Sequence, residues 1–204
     1  MKKHIVLTLG LATVLVSAAQ AGQEQLAASI KQAREEAAST ATQLSTTLTA
    51  LNTLVGTKGD LNPCYQAFRS EIPKTESAAT VTRARLETMT KERENYFRDW
   101  QATIQGINNP SLQKKAQKRL DAAAKSYDKV QEEMKAAADK FRPFLSDLSD
   151  IDKALSHDVT ADGIKSMKST VRSANWNYKF VSSAIKDALK EMDKMEKALS
   201  AQSS

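Results

Sequence analysis

Beyond position 21, apolar residues recur at gaps of three and four in successive stretches, the spacing of helices packed along other helices. The most regular series reads Ala123, Tyr127, Val130, Met134, Ala137, Phe141, Phe144, Leu148, Ile151 and Leu155. A second regular series follows through Ile164, Met167, Val171, Ala174, Tyr178, Val181, Ile185, Ala188, Met192, Met195 and Leu199. Earlier in the chain the seam is Leu26, Ile30, Ala33, Ala37, Leu44, Leu48, Leu51 and Val55. A weaker series, Leu86, Met89, Arg93, Tyr96, Trp100 and Ile107, lies between. The arginine in it predicts a seam that is partly open.

The breaks between these stretches carry turn chemistry. Asn62-Pro63 and Asn109-Pro110 each place a capping side chain before a proline at the first helical position, where the missing N–H costs nothing. The third break, residues 156–163, offers Asp158 and Thr160 as caps. Short breaks force neighbouring helices to run antiparallel. The predicted fold is therefore all-α: an elongated antiparallel four-helix bundle or coiled coil, with helices near residues 24–55, 63–107, 110–156 and 160–200. Helices of about 40 residues, at 1.5 Å each, make a rod roughly 60 Å long. Pro73, Pro143 and the aromatics at residues 176–180 fall at a similar height in that topology. They predict a kinked, aromatic-rich layer near one end.

The stretch LVGTKGDLNPCYQAF, residues 54–68, invites a phosphate-loop reading. A P-loop needs G-x-x-x-x-G-K-[ST] between a strand and a helix, so that successive backbone N–H groups surround phosphate. Here the glycines are three apart, the lysine lies between them, and an amphipathic helix precedes them. Gly56 is expected to end the helix with positive φ, and Gly59-Asp60 to form the turn.

The N-terminus has the three parts of a secretory leader: MKKH, an apolar run over residues 5–16, and SAAQA before Gly22. The apolar run is too short to span a bilayer, which takes about 20 residues. Cleavage after Ala21 leaves residues 22–204 as one domain with no transmembrane segment, and a periplasmic or secreted location. No cysteine stands at the cleavage site to carry a lipid.

The formal charge of +6 becomes +4 when Lys2 and Lys3 leave with the leader. That is not the dense basic field of a dedicated nucleic-acid binder. One cluster stands out: Lys114, Lys115, Lys118 and Arg119 in QKKAQKRL, candidate contacts for an anionic polymer. The single cysteine, Cys64, excludes an internal disulfide; it is a buried small hydrophobe, a free thiol or an intermolecular link.

Catalytic and metal chemistry find little support. After the leader one histidine remains, His157, beside Asp158 in the third turn, and no nucleophile motif accompanies it. One His and one Cys cannot build a structural zinc site. No catalytic residue, cofactor or metal is expected. Residues 37–57 hold no charge and many Thr and Ser residues. That face is either buried within the bundle or a surface for another chain.

Three segments carry a family resemblance: LxxLVxxxGDLxxxYxxF at residues 51–68, YFRDWQATIQGINNPSLQKKAQKRL at residues 96–120, and FRPFLSDLSDI at residues 141–151. With the sequence between them, from about residue 32 to residue 199, the chain resembles an uncharacterised bacterial family of exported coiled-coil proteins, often automatically named "DNA repair ATPase". The resemblance implies a helical envelope protein with no established activity. The chain departs from the family in lacking a lipoprotein cysteine and in its third turn, SHDVTADG. No phosphate loop supports the ATPase label.

The resulting expectation is an exported, non-enzymatic scaffold or protein-interaction module, acting through a protein partner or through self-association. Its seams can close within one chain or between chains. Binding of an anionic polymer through the basic cluster is the alternative.

Overall fold

The computed structural model describes the backbone of residues 9–200 and the side chains of residues 20–199. Five helices follow in order: α1 (Leu9–Gly56), α2 (Asn62–Gln105), α3 (Pro110–Leu155), α4 (Ala161–Ser166) and α5 (Lys168–Ser200). Among the described residues there is no strand. The fold is an all-α bundle in which α1 packs on α2 and α5, and α3 packs on α5 and, more loosely, on α2. Residues 1–8, where the expected leader begins, lie outside the described residues. Among the described residues no helix is long and apolar enough to cross a membrane.

Seam positions read from the sequence are mostly the buried ones. Leu26, Ile30, Leu44, Leu51, Phe144, Leu148, Ile151, Leu155 and Met192 are fully enclosed. In the weaker α2 series the structure puts Ile104 in the core, whereas Ile107 lies in the turn beyond Gln105. Truncating an enclosed aromatic such as Phe144 to alanine leaves a cavity, a change that typically costs about 3–5 kcal/mol.

The core divides into two clusters. One, at the end of the first and third turns, contains Phe68, Phe144, Leu148, Ile151 and Val181. The other, toward the second turn, contains Leu26, Ile30, Met89, Tyr96, Tyr127 and Met192. Between them the core-facing positions of α2 are Thr75, Ala79 and Thr82 rather than large apolar residues. Thr47 and Thr75 meet at 2.6 Å, Thr40 and Thr82 at 2.8 Å, all four buried. Thr47 and Thr75 also lie within hydrogen-bonding reach of the carbonyls of Gln43 and Glu71. One hydroxyl of the pair can thus donate across the seam while the other donates back along its own helix, and neither is stranded.

The turns correct two local expectations. Gly56 ends α1 without positive φ; that conformation belongs to Gly59, at φ 113°. Asn62 is not a cap: it opens α2, and Asp60 Oδ1 accepts from both its backbone N–H (3.0 Å) and its Nδ2 (3.2 Å). The Asp60 carboxylate reaches forward to the N–H two residues on, an Asx motif that the Asn-Pro pattern conceals. Asn109 caps α3 as expected, accepting from the N–H groups of Ser111 and Leu112. Thr160 caps α4, accepting from Gly163 N at 3.1 Å.

The fourth predicted helix is in two pieces. Met167, at φ −98° and ψ 8°, interrupts it, and its N–H reaches Ile164 O in a tighter turn. Ile164 before the break and Met167 at it both stay buried, so the apolar face continues across it. Pro73 and Pro143 lie on exposed positions within helices that continue through them.

Of the expected aromatic layer, Phe144 and Tyr178 pack inside with ring centroids 6.4 Å apart. Trp176 and Phe180 point outward.

Three substitutions test this account. Thr47→Val alone is expected to cost about 1 kcal/mol, because the Thr75 hydroxyl keeps only its carbonyl partner. Thr47→Val combined with Thr75→Val should be near neutral, and urea melts of the wild type, both single variants and the double variant would show this non-additivity. At Gly163 an added Cβ would stand 2.5 Å from the Asp158 carbonyl oxygen. Gly163→Ala is therefore expected to lower stability by about 1–3 kcal/mol in the same melts, with helix content retained.

Candidate functional site

Lys114, Lys115, Lys118 and Arg119 occupy the first turns of α3, all exposed. Helical spacing sets Lys114 beside Lys118, and Lys115 beside Arg119, in two adjacent ranks. None of the four forms an ion pair among the described residues. Asp121 follows directly and accepts a hydrogen bond from Gln117 at 2.9 Å, so the positive field is local.

Cys64 is half-buried at the start of α2, its Sγ 3.4 Å from the Thr57 hydroxyl and packed against the first core cluster. His157 is exposed, and the neighbouring Asp158 carboxylate accepts from the Thr160 hydroxyl at 2.7 Å. The uncharged stretch at residues 37–57 splits by face. Thr40 and Thr47 are buried in the α1–α2 seam, while exposed Thr42, Thr46 and Thr49 hydrogen-bond to carbonyls four residues back. Among the described residues no group of three or more His, Cys, Asp or Glu side chains is placed to hold a metal ion.

The resolved shifts in proton affinity have structural causes. Lys74 and Gln43 hydrogen-bond to Glu71 and hold its carboxyl below the usual range. Lys194 does the same for Glu191, and Lys197 for Asp193. Burial pushes the Tyr65 phenol up, reinforced by its 2.9 Å hydrogen bond to Asp152. Burial likewise raises Tyr96, and the charge of Arg119 pulls it back. Each carboxylate shift follows from a helix-surface lysine and stabilises the charged form, the opposite of what a general acid near neutral pH requires.

The seam with the arginine is resolved in an unexpected way. The Arg93 guanidinium carbon sits 4.7 Å from the ring centroids of both Phe97 and Tyr127 and reaches Asp128 at 3.8 Å. The cation joins α2 to α3 through aromatic faces. Nearby, Tyr127 donates to the Thr90 hydroxyl at 2.7 Å, and Gln101 and Gln117 exchange hydrogen bonds at 3.1 and 3.3 Å. The α2–α3 seam is held largely by polar side chains.

A surface feature that no packing requirement explains lies on α5. Trp176 is 59% exposed and Phe180 42%. Their rings meet edge to face at 4.8 Å, and Lys140 Nζ of α3 lies 5.4 Å from the Phe180 centroid. On the Trp176 side, Arg172 and Lys179 border a shallow depression. On the Phe180 side, a groove between α3 and α5 is bordered by Glu133, Asp139 and Asp187. An aromatic ridge thus separates a basic shelf from a largely acidic groove. The sequence holds the signal: the seam runs Ala174, Tyr178, Val181, which leaves residues 176 and 180 off it.

No curated protein matches this chain. A family described as "Protein of unknown function (DUF2959)" matches residues 17–199, nearly the whole of the chain and every long helix of the bundle, and the chain belongs to that family.

Proposed function

We propose that the protein is an exported, non-enzymatic helical scaffold that engages a protein partner, or a second copy of itself, through the aromatic ridge on α5. The observation that carries this reading is the exposure of Trp176 and Phe180 as an edge-to-face pair. Two large aromatics left in water on a bundle with ample inward positions forgo burial worth about 1.5–3 kcal/mol for a side chain such as Phe180. Trp is also the residue type most enriched at binding hot spots. Opposite charges on the two flanks suit a partner carrying both signs, including another copy turned by a two-fold axis. The tripartite leader supports export, and carboxylates held in their charged form, with no nucleophile motif in the sequence, support a role without catalysis.

A photoreactive residue at position 179, beside the ridge, is expected to give one discrete crosslinked product in cells that export the protein. The same residue at Lys135, on α3, should give none. Smears or equal yields from both positions would sink the proposal.

The basic cluster supports a second reading, binding of an anionic polymer, because its four cations are exposed and without ion pairs among the described residues. Lys115→Glu with Lys118→Glu is then expected to abolish retention on heparin at low salt, with wild-type retention falling steeply as salt rises. Retention that persists in the double variant, or ignores salt, excludes this reading.

A further inference from the structure

Toward the second-turn end of the rod, a cavity of about 270 Å³ lies among the four long helices. Phe97 and Trp100 of α2 form an aromatic wall, their rings edge to face at 6.2 Å. Across from a wall of such size α3 contributes Ala122 and Ala123, too small to fill the space, and buried Leu26 and Met195 add to the apolar lining. Two cations also border the cavity, Arg119 and Lys194. Lys194 is held at 2.7 Å by Glu191, whereas Arg119 forms no ion pair or hydrogen bond among the described residues.

We propose that this cavity binds a single-chain anionic amphiphile, with its hydrocarbon tail against Trp100 and Ala123 and its carboxylate at Arg119 and Lys194. Four arguments lead there. An apolar hollow of this size gains contacts from any hydrocarbon that enters, and water gains little from filling it. A nucleotide base or a sugar ring would strand its polar groups, since beyond the two border cations the lining offers only the Ser126 hydroxyl as a polar side chain. A neutral apolar molecule would leave the cations unused, whereas a carboxylate kept at the border meets both. The volume admits one chain of moderate length rather than a two-chain lipid. The influence of Arg119 on buried Tyr96 is consistent with its charge acting toward the bundle interior.

The site is remote in role from the α5 ridge and does not depend on it, which provides the probe. The chain has two tryptophans, so Trp176→Phe leaves Trp100, in the cavity wall, as the sole indole emitter. In that background, titration with dodecanoate is expected to shift Trp100 emission saturably. Arg119→Gln should weaken dodecanoate roughly tenfold and leave dodecanol unchanged, because the alcohol lacks the charge that the guanidinium holds. Ala123→Leu should abolish the response to both probes and raise the melting temperature by filling the void. Should that variant misfold, Arg119→Gln, at an exposed position, decides alone. The proposal is overturned by an emission that does not saturate, by equal weakening of both probes in Arg119→Gln, or by a response unaffected by either substitution.

Discussion

A helix of more than forty residues presents an apolar strip that its own turns cannot cover, and hydrocarbon left in water costs about 25 cal/mol for each Å². In this chain every long helix carries one such strip, and the strips can be covered together when the helices lie side by side along their length. The requirement fixes the antiparallel arrangement, because the breaks at residues 57–61 and 106–109 are too short for a helix to return to its starting end. It also sets what is left over. A strip that occupies roughly one position in three leaves the outer faces free for charge, and on α5 those faces carry the Lys194–Glu191 and Lys197–Asp193 pairs.

A uniform apolar seam would not define how far one helix slides along another, since a shift of one heptad buries nearly the same side chains. The polar groups within the seams supply that definition. Thr40 with Thr82 and Thr47 with Thr75 each need one partner at one height on the facing helix. Gln43 with Glu71 repeats the constraint at the seam's edge, at 2.7 Å. On the other side of α1, Asn52 and Asn175 exchange hydrogen bonds and Arg34 meets Glu196 at 3.1 Å. Tyr65 and Arg69 meet Asp152 where α2 begins and α3 ends. These contacts individually add little to stability, but each would be lost by a slip of a single turn.

The seams were legible in the sequence because burial of Leu, Ile, Val, Phe and Met at a four–three spacing has one geometric solution. Residues at the same spacing with hydroxyls were not, since Thr40, Thr47, Thr75 and Thr82 read as polar until a partner at 2.6 to 2.8 Å is seen. Turn details escaped for a related reason: Asp60 and Asn62 are equally able to cap, and Gly56 and Gly59 equally able to take positive φ. Which one does so is set by how α1 and α2 meet. Met167 lies in the core as its spacing predicts, yet the helix breaks there, because periodicity locates faces and does not reveal a local interruption of the backbone. The ridge of Trp176 and Phe180 followed from the heptad but was masked by the assumption that aromatics belong inside. The cavity beside Trp100 was beyond reach, since a void is a property of what four helices fail to fill jointly.

The two ends of the rod differ in the way such voids would suggest. Toward the first and third turns, Phe68, Phe144 and Leu148 fill the space between helices, and Ile164 and Met167 add apolar cover at the end. Toward the second turn, α3 places Ala122 and Ala123 beside the aromatics of α2, and the α2–α3 seam is closed by Arg93, Gln101 and Gln117 in place of a second apolar layer. Alanine lets helix backbones approach, but against Phe97 and Trp100 the large rings hold α2 away, so the small side chains leave volume rather than remove it. Polar links across such a seam tolerate small separations better than interlocked hydrocarbon does, because water can stand in for a stretched hydrogen bond. The second-turn end is therefore the part of the bundle best suited to widen around a guest, while the hydroxyl-registered middle holds the helices in place.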